Sequence, residues 1–158
     1  MTIKAKQLLF FLGVVIQSAL MFAAPAQATL GEAGDSVSAD GRALSAAHQA
    51  TREYRRFTVR EIRSDSVTVR EYISPSDVVF GVAWSGMAPP DLDQLLGSYA
   101  GEYRDTLRTA ERKPGSRSGR KVKTSRAVVE TWGHMRDLQG RAYVPALVPQ
   151  GVTINEIK

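Results

Sequence analysis

Few residues of this sequence have the types and spacing that catalysis requires. Ser85 follows a glycine by four positions, but residues 81–85 lack the Gly-x-Ser-x-Gly pattern of a nucleophile elbow. The only histidines, His48 and His134, have neither His-x-His nor His-Glu-x-x-His spacing, and the chain holds no cysteine. No glycine-rich phosphate-binding loop occurs. We therefore expect no metal site and no cofactor, and the sequence favours a noncatalytic protein over an enzyme.

One enzymatic alternative stays open, because a pair of carboxylates brought together by the fold leaves no mark in the sequence. Such a pair is what glycoside hydrolysis needs. A small hydrolase that works without a cofactor is therefore the alternative to a binding function.

A second group of residues has the composition of a binding surface, where arginine and aromatic side chains are enriched. We take as candidate binding residues Trp84, Trp132, His134, Arg141 and Tyr143. The competing interpretation places both tryptophans in the core, His134 at a turn and Arg141 in solvent.

A third group is a run of positive charge between Arg112 and Arg126. It carries seven lysines and arginines in fifteen positions and one apolar residue, Val122. This composition predicts a basic flexible loop over residues 112–126, which is either simply solvated or contacts an anionic envelope polymer or lipid surface. No aromatic residue is interleaved for base stacking, so we expect no nucleic-acid partner. The candidate polyanion contacts are Arg117, Arg120, Lys121 and Lys123.

Strands and one helix must position these groups. The tetrapeptide Thr-Val-Arg-Glu at residues 58–61 recurs at 68–71, with turn residues between, and predicts a β-hairpin. Residues 78–84 are apolar on both faces and predict a central strand. Its alternation places Val78, Phe80, Val82 and Trp84 on one face and smaller residues on the other, where a helix could approach closely. Residues 127–132 and 135–144 predict two further strands.

The main helix is predicted over residues 91–107, with Asp91 as its N-cap and Gln94 in a capping box. One apolar stripe follows helical spacing: Leu92, Leu95, Leu96, Tyr99, Tyr103 and Leu107. Another helix, capped by Ser36, is predicted as far as Ala50. The fold class is thus α+β, with an antiparallel sheet of about five strands and one main amphipathic helix packed on one face.

The N-terminal residues have the three parts of a secretory signal peptide. Lys4 and Lys6 precede an apolar run over residues 8–22, which is shorter than the roughly 20 residues of a membrane-spanning helix. The small residues Ala26 and Ala28 then fit a signal peptidase, so we predict cleavage between Ala28 and Thr29. The alternative is a retained membrane anchor. Cleavage leaves residues 29–158 as one globular domain, without disulfides, periplasmic or secreted and not membrane-spanning.

Several segments occur in a recognisable order: Arg-Glu-Tyr-Ile-Ser-Pro at 70–75, Val-Phe-Gly-Val-Ala-Trp at 79–84, Pro-Asp-Leu-Asp-Gln-Leu-Leu-Gly at 90–97, Gly-His-Met at 133–135 and Gly-Arg-Ala-Tyr-Val-Pro at 140–145. With them the chain, from about Ala28 to its last residue, resembles domain of unknown function 2844, a bacterial exported family. The resemblance implies an exported bacterial domain and supplies no catalytic residues. The expected function is a noncatalytic binding or accessory module of the bacterial envelope. Its partner would be an envelope protein or an anionic envelope polymer.

Overall fold

The computed structural model describes residues 29–34, 48–109 and 119–158. In this part of the chain, seven strands form a sheet in the order β1-β2-β3-β4-β7-β6-β5, and every neighbouring pair is antiparallel. The strands are β1 His48–Glu53, β2 Thr58–Arg63, β3 Val67–Ile73, β4 Val79–Gly86, β5 Arg120–Lys123, β6 Val128–His134 and β7 Asp137–Tyr143. The α+β class and the antiparallel sheet are confirmed, whereas about five strands was too few.

The two additional strands lie in segments for which the sequence predicted other structures. Ala50, the last residue of the helix predicted from Ser36, belongs to β1, and residues 35–47 of that prediction lie outside the described residues. Residues 120–123 of the predicted basic loop form β5, while residues 110–118 lie outside the description. Val122 anchors β5 to the sheet, because it pairs with Val129 and its side chain is buried in the core.

Side chains alternate across the sheet and divide it into two faces. The face that packs against residues 92–109 is called the helix face, and its core includes Val82, Trp84 and Val129. The opposite face packs against residues 145–158, the C-terminal segment, and is called the C-terminal face. Its core includes Phe80, Tyr72 and Ile157.

The predicted helix forms in two parts, α1 Leu92–Leu96 and α2 Ala100–Thr109, joined by a 3₁₀ turn over Gly97–Tyr99. Asp91 is the N-cap, as predicted, and its side chain accepts a hydrogen bond from the backbone N–H of Gln94. Gly97 has φ of +49°, and a Cβ there would lie 1.8 Å from Cγ2 of Thr29, so this break requires glycine. All six residues of the predicted stripe pack in the core of the helix face.

The predicted β2–β3 hairpin is confirmed, but the predicted faces of β4 are wrong at two residues, Val79 and Phe80. Tyr72 pairs with Gly81 and Ile73 with Val79, so Phe80 is an extra residue in β4, a β-bulge. The bulge places Phe80 on the C-terminal face, away from Val82 and Trp84. The predicted side of helix approach is also wrong, because the helix packs against Val82 and Trp84. Gly81 and Ala83 lie on the C-terminal face with Phe80, where Ile157 packs against Gly81.

Residues 29–34 join the same core at the other end of the described chain. The side chain of Leu30 is 1 % exposed, and its N–H donates to the carbonyl of Leu95. Gly31 donates to the carbonyl of Val79, whose own N–H donates to the carbonyl of Glu32. Within the described residues, no helix has the length and apolarity required to cross a membrane.

Candidate functional site

The structure brings together three of the five candidate binding residues. Trp132, Arg141 and Tyr143 lie on the C-terminal face, where Trp132 and Arg141 are half-buried and Tyr143 is buried. Trp84 lies on the helix face, and His134 is exposed at the end of β6. Trp84 pairs with Gly140, so both face the helix side of the sheet, whereas the next residue of β7, Arg141, faces the other side. Gly140 leaves room for the indole of Trp84. A Cβ at Gly140 would lie 2.3 Å from Cζ2 of Trp84.

Arg141 holds the C-terminal segment against the sheet. Its Nη1 donates to the carbonyl of Ile154 at 2.8 Å and to the carbonyl of Ile157 at 3.3 Å. Its Nε donates to Oε2 of Glu130 at 2.6 Å, and its guanidinium lies 5.7 Å from the ring centroid of Trp132. Nε and Nη1 of Arg141 therefore donate to groups of the protein itself, as expected of a positioning residue.

The candidate polyanion contacts are divided by the sheet. Lys121 and Lys123 lie on the C-terminal face beside a shallow hollow of about 580 Å³, and Arg120 points to the other face. Arg117 lies outside the described residues. Lys121 Nζ is 2.7 Å from Oε1 of Glu130, and this hydrogen bond raises the pKa of Lys121. Lys123 is exposed and makes no ion pair within the described chain.

Glu130 thus lies between two cations. Burial alone would raise the pKa of Glu130, but the hydrogen bonds from Lys121 and Arg141 outweigh burial and lower it. The carboxylate is consequently held in its ionised form, and the three side chains form a charged network on the C-terminal face.

A cavity larger than the hollow beside Lys121 and Lys123 lies on the same face, and it was not predicted from the sequence. It is a groove of about 750 Å³ between strands β1–β3 and the end of the C-terminal segment, a size usual for ligand sites. The residues that line this groove are Ala50, Arg52, Tyr54, Phe57, Val59, Glu61, Arg70, Tyr72, Thr153, Asn155, Glu156 and Lys158.

An aromatic platform forms part of the groove wall. Tyr54 is 52 % exposed and stacks on the buried Phe57, with ring centroids 4.9 Å apart and planes 22° from parallel. Phe57 in turn contacts Tyr72 and Phe80 at centroid distances of 5.8 and 6.1 Å. The exposed ring is therefore supported from the core, which limits its motion before a ligand binds.

Both carboxylates of the groove are occupied. Glu61 accepts from Arg70 Nε at 2.8 Å and from Arg63 Nη2 at 3.0 Å, and the Arg70 hydrogen bond lowers the pKa of Glu61. Glu156 accepts from the backbone N–H of Thr153 at 2.7 Å and from its hydroxyl at 3.0 Å, which lowers the pKa of Glu156. Neither carboxylate has the raised pKa that a general acid requires at neutral pH.

Tyr72 closes the floor of the groove against the chain end. Its hydroxyl donates to the carbonyl of Lys158 at 2.7 Å and accepts from the N–H of Lys158 at 2.9 Å. Burial raises the pKa of Tyr72, so the hydroxyl stays protonated as these bonds require. Arg70 Nη1 adds a third contact with the carbonyl of Lys158, at 3.3 Å.

One sequence signal could have located the groove. Tyr54 and Phe57 flank Arg55 and Arg56 immediately before the predicted hairpin. The turn is closed by a hydrogen bond from the N–H of Tyr54 to the carbonyl of Phe57. The opposite wall comes from residues 153–158, about a hundred positions later, and sequence spacing does not reveal that approach. Within the described residues, no group of three or more histidines and carboxylates could hold a metal ion.

The fold and the groove define an α+β protein with a ligand-sized trough on the face of its sheet opposite the helix. A family model described as "Protein of unknown function (DUF2844)" matches residues 26–157, and the chain belongs to this family. No curated protein matches the chain, and no solved structure does.

Proposed function

We propose that the protein is an exported, noncatalytic binding or accessory module of the bacterial envelope, and that its ligand binds in the groove. One observation carries the proposal: an exposed aromatic ring, fixed on a buried one, lies in a trough that also presents charged and polar side chains. Apolar walls with a few polar groups are typical of ligand sites. The hydrolase alternative has less support, because hydrogen bonds keep Glu61 and Glu156 ionised.

Affinity capture tests this function. The bait is the periplasmic form, whose intact mass should correspond to a chain that begins at Thr29. It is incubated with a native envelope extract beside the variant Tyr54→Ala and the control Arg55→Gln. Tyr54 is half-exposed and Arg55 is exposed, so both variants should fold. We expect an envelope component that the wild type and Arg55→Gln retain and that Tyr54→Ala loses.

Two results would contradict the proposal. Capture of the same components by all three baits would remove the groove as the binding site. A periplasmic protein that still carries residues 8–22 would contradict the proposal that the signal peptide is cleaved.

The second candidate function is contact with an anionic envelope polymer through β5. Edge strand β5 carries three exposed cations, Arg120, Lys121 and Lys123, and two of them flank the shallow hollow. Clustered basic residues near an anionic surface contribute about 1 kcal/mol each at moderate salt.

Charge neutralisation tests the second candidate. Replacing Arg117, Arg120, Lys121 and Lys123 with glutamine should leave the protein folded, because Lys121 is exposed and Glu130 keeps its second partner, Arg141. Sedimentation with anionic vesicles at low salt should show clearly weaker binding by this variant. The difference should fade at physiological ionic strength, where the Debye length is about 8 Å.

The matched control removes four exposed positive charges elsewhere, by the glutamine substitution of Arg55, Arg104, Arg108 and Arg136. Equal losses in the two variants would assign the binding to net charge alone. No binding by the wild type at low salt would exclude β5 as a polyanion contact.

A further inference from the structure

The charged side chains that line the groove are Arg52, Arg70 and Lys158, which are positive, and Glu61 and Glu156, which are negative. Glu61 is paired with Arg70 and Arg63, whereas Glu156 accepts hydrogen bonds from the uncharged Thr153 and keeps its charge. The side chains of Arg52 and Lys158 make no hydrogen bond or ion pair with the rest of the described chain, and both are exposed. The lining side chains therefore carry one more positive than negative charge, and Arg52, close to the exposed Tyr54, is a cation that can pair with an anionic ligand.

The aromatic platform adds a requirement for shape. One face of the Tyr54 ring is covered by Phe57, and the ring as a whole is 52 % exposed. Such a ring binds flat apolar surface, and the C–H face of a pyranose provides it while the sugar hydroxyls point outward. Thr153 and Asn155 line the same groove. The Thr153 hydroxyl donates to Glu156 and can still accept from a sugar hydroxyl, and the Asn155 amide offers both donors and an acceptor.

Strand geometry places the cation beside the ring. Ala50, Arg52 and Tyr54 are alternate residues at the start of the sheet, and all three line the groove. Side chains two residues apart on a strand project to one face about 7 Å from each other. The long Arg52 side chain can therefore reach an acidic group carried by a sugar stacked on Tyr54, or by the next sugar of a chain.

We propose that the groove binds an acidic saccharide, with a sugar ring stacked on Tyr54 and a carboxylate of the sugar paired with Arg52. This inference rests on the proposed binding function and narrows its ligand. An acidic peptide would satisfy Arg52 and Lys158, but it lacks the flat ring that the Tyr54–Phe57 stack complements.

Calorimetric titration of the mature chain with three probes tests the proposal. Hexagalacturonate carries both ring and charge, its methyl ester keeps the ring without the charge, and hexaglutamate keeps the charge without the sugar. We expect hexagalacturonate to bind about tenfold or more tightly than either of the others, which corresponds to the loss of one central contact. Binding should weaken as salt increases, because Arg52 is exposed.

Variants assign the contacts. Tyr54→Ala should weaken hexagalacturonate binding about tenfold and Arg52→Gln about fivefold, as expected for truncation of central interface residues. Arg52→Gln should leave the affinity for the methyl ester unchanged, because that probe has no carboxylate. Arg55→Gln is the matched control and should bind like the wild type, since Arg55 is exposed and does not line the groove. Thermal melts of the variants should be superimposable on that of the wild type.

The other outcomes overturn the proposal and separate it from the proposed function. Hexaglutamate binding as tight as hexagalacturonate binding would assign the groove to acidic peptides. Equal binding of the acid and the ester would remove the role of Arg52. If no probe binds while envelope capture still depends on Tyr54, the acidic saccharide is wrong and the binding function stands. If capture is also independent of Tyr54, both fail.

Discussion

Replacement of Leu95 by alanine is expected to lower the free energy of unfolding by about 2–5 kcal/mol. Leu95 lies on α1 with 8 % of its surface exposed, and it packs in the core of the helix face. The loss has two parts: the hydrophobic free energy that burial of the deleted isopropyl group contributed, and the cost of the cavity left beneath the helix. The measurement is a urea unfolding curve of the mature chain, read as the change in midpoint at constant slope.

The neighbouring Asp93→Ala variant is the control. Asp93 and Arg104 are each 54 % exposed, with Arg104 Nη1 2.9 Å from Asp93 Oδ2. Loss of an exposed pair of this kind should cost under about 0.5 kcal/mol. Equal midpoints for the two variants would mean that the helix presents a different side to the sheet.

Helix phase could be predicted because it depends on local spacing alone. The stripe from Leu92 to Leu107 has a period that only one face of a helix satisfies, and Asp91 caps it from an adjacent position. The β2–β3 hairpin is local in the same sense, since turn residues lie directly between its strands. The break between α1 and α2 at Gly97 was not predicted, because it depends on the close approach of Thr29, which is distant in the sequence.

The face assignment of β4 failed because a bulge is a property of the pair of strands. Nothing in the order Val79, Phe80, Gly81 marks Phe80 as the extra residue. The bulge follows from Ile73 pairing with Val79 while Tyr72 pairs with Gly81. It also allows Phe80 to meet Phe57 and Tyr72 on the C-terminal face, which strict alternation would not permit.

Strand β5 was predicted as part of a loop because of its charged composition. Three of its four residues are cationic and exposed, and only Val122 enters the core. An edge strand with one buried residue has no alternating pattern long enough to recognise, and charge on an edge strand is usual because it discourages pairing with other chains. Its pairing with β6 makes it a strand, and that contact spans the turn over residues 124–127.

For the candidate binding residues, composition predicted the residue types of a surface but not where the groove lies. Arginine and aromatic residues indicated a surface, and Trp132, Arg141 and Tyr143 do share one face. The groove itself is formed by residues 50–72 with residues 153–158, and only tertiary contact relates them. Arg141 contacts the C-terminal segment of its own chain, which no spacing in the sequence predicts.

Removal of the Arg141 side chain is therefore expected to release the C-terminal segment from the sheet. Arg141→Met keeps the length of the side chain but removes the guanidinium that donates to the carbonyls of Ile154 and Ile157, and the Ile154 carbonyl keeps only its bond from the N–H of Ile157. Because Arg141 and Glu130 are 18 % and 15 % exposed, we expect a loss of about 2–4 kcal/mol in the free energy of unfolding. Arg55→Met, an exposed arginine outside these contacts, should change stability by less than about 0.5 kcal/mol.

Hydrogen exchange locates the effect. The amides of Leu147, Val152, Glu156 and Ile157 are bonded within the C-terminal segment or to its first neighbour, and they should exchange faster in Arg141→Met. The amides of β2 and β3 should still exchange only through global unfolding of the protein, so their exchange should follow the global stability of each variant. If the segment amides exchange no faster than in the wild type, Arg141 does not hold the segment, and the lost stability has another origin.

The ion pair adds a dependence on pH whose sign follows from Glu130. Its pKa is lowered in the folded protein, so its contribution to stability is complete above its unfolded pKa and is lost as pH falls through the folded pKa. Arg141→Met removes one of the two side-chain donors that lower this pKa. The difference in stability between wild type and variant should therefore be larger at neutral pH than in strong acid, where Glu130 is protonated in both. A double-mutant cycle with Glu130→Gln isolates the contribution of the Arg141–Glu130 ion pair. A coupling energy near zero at neutral pH would show that only the bonds from Arg141 to the two carbonyls hold the segment against the sheet.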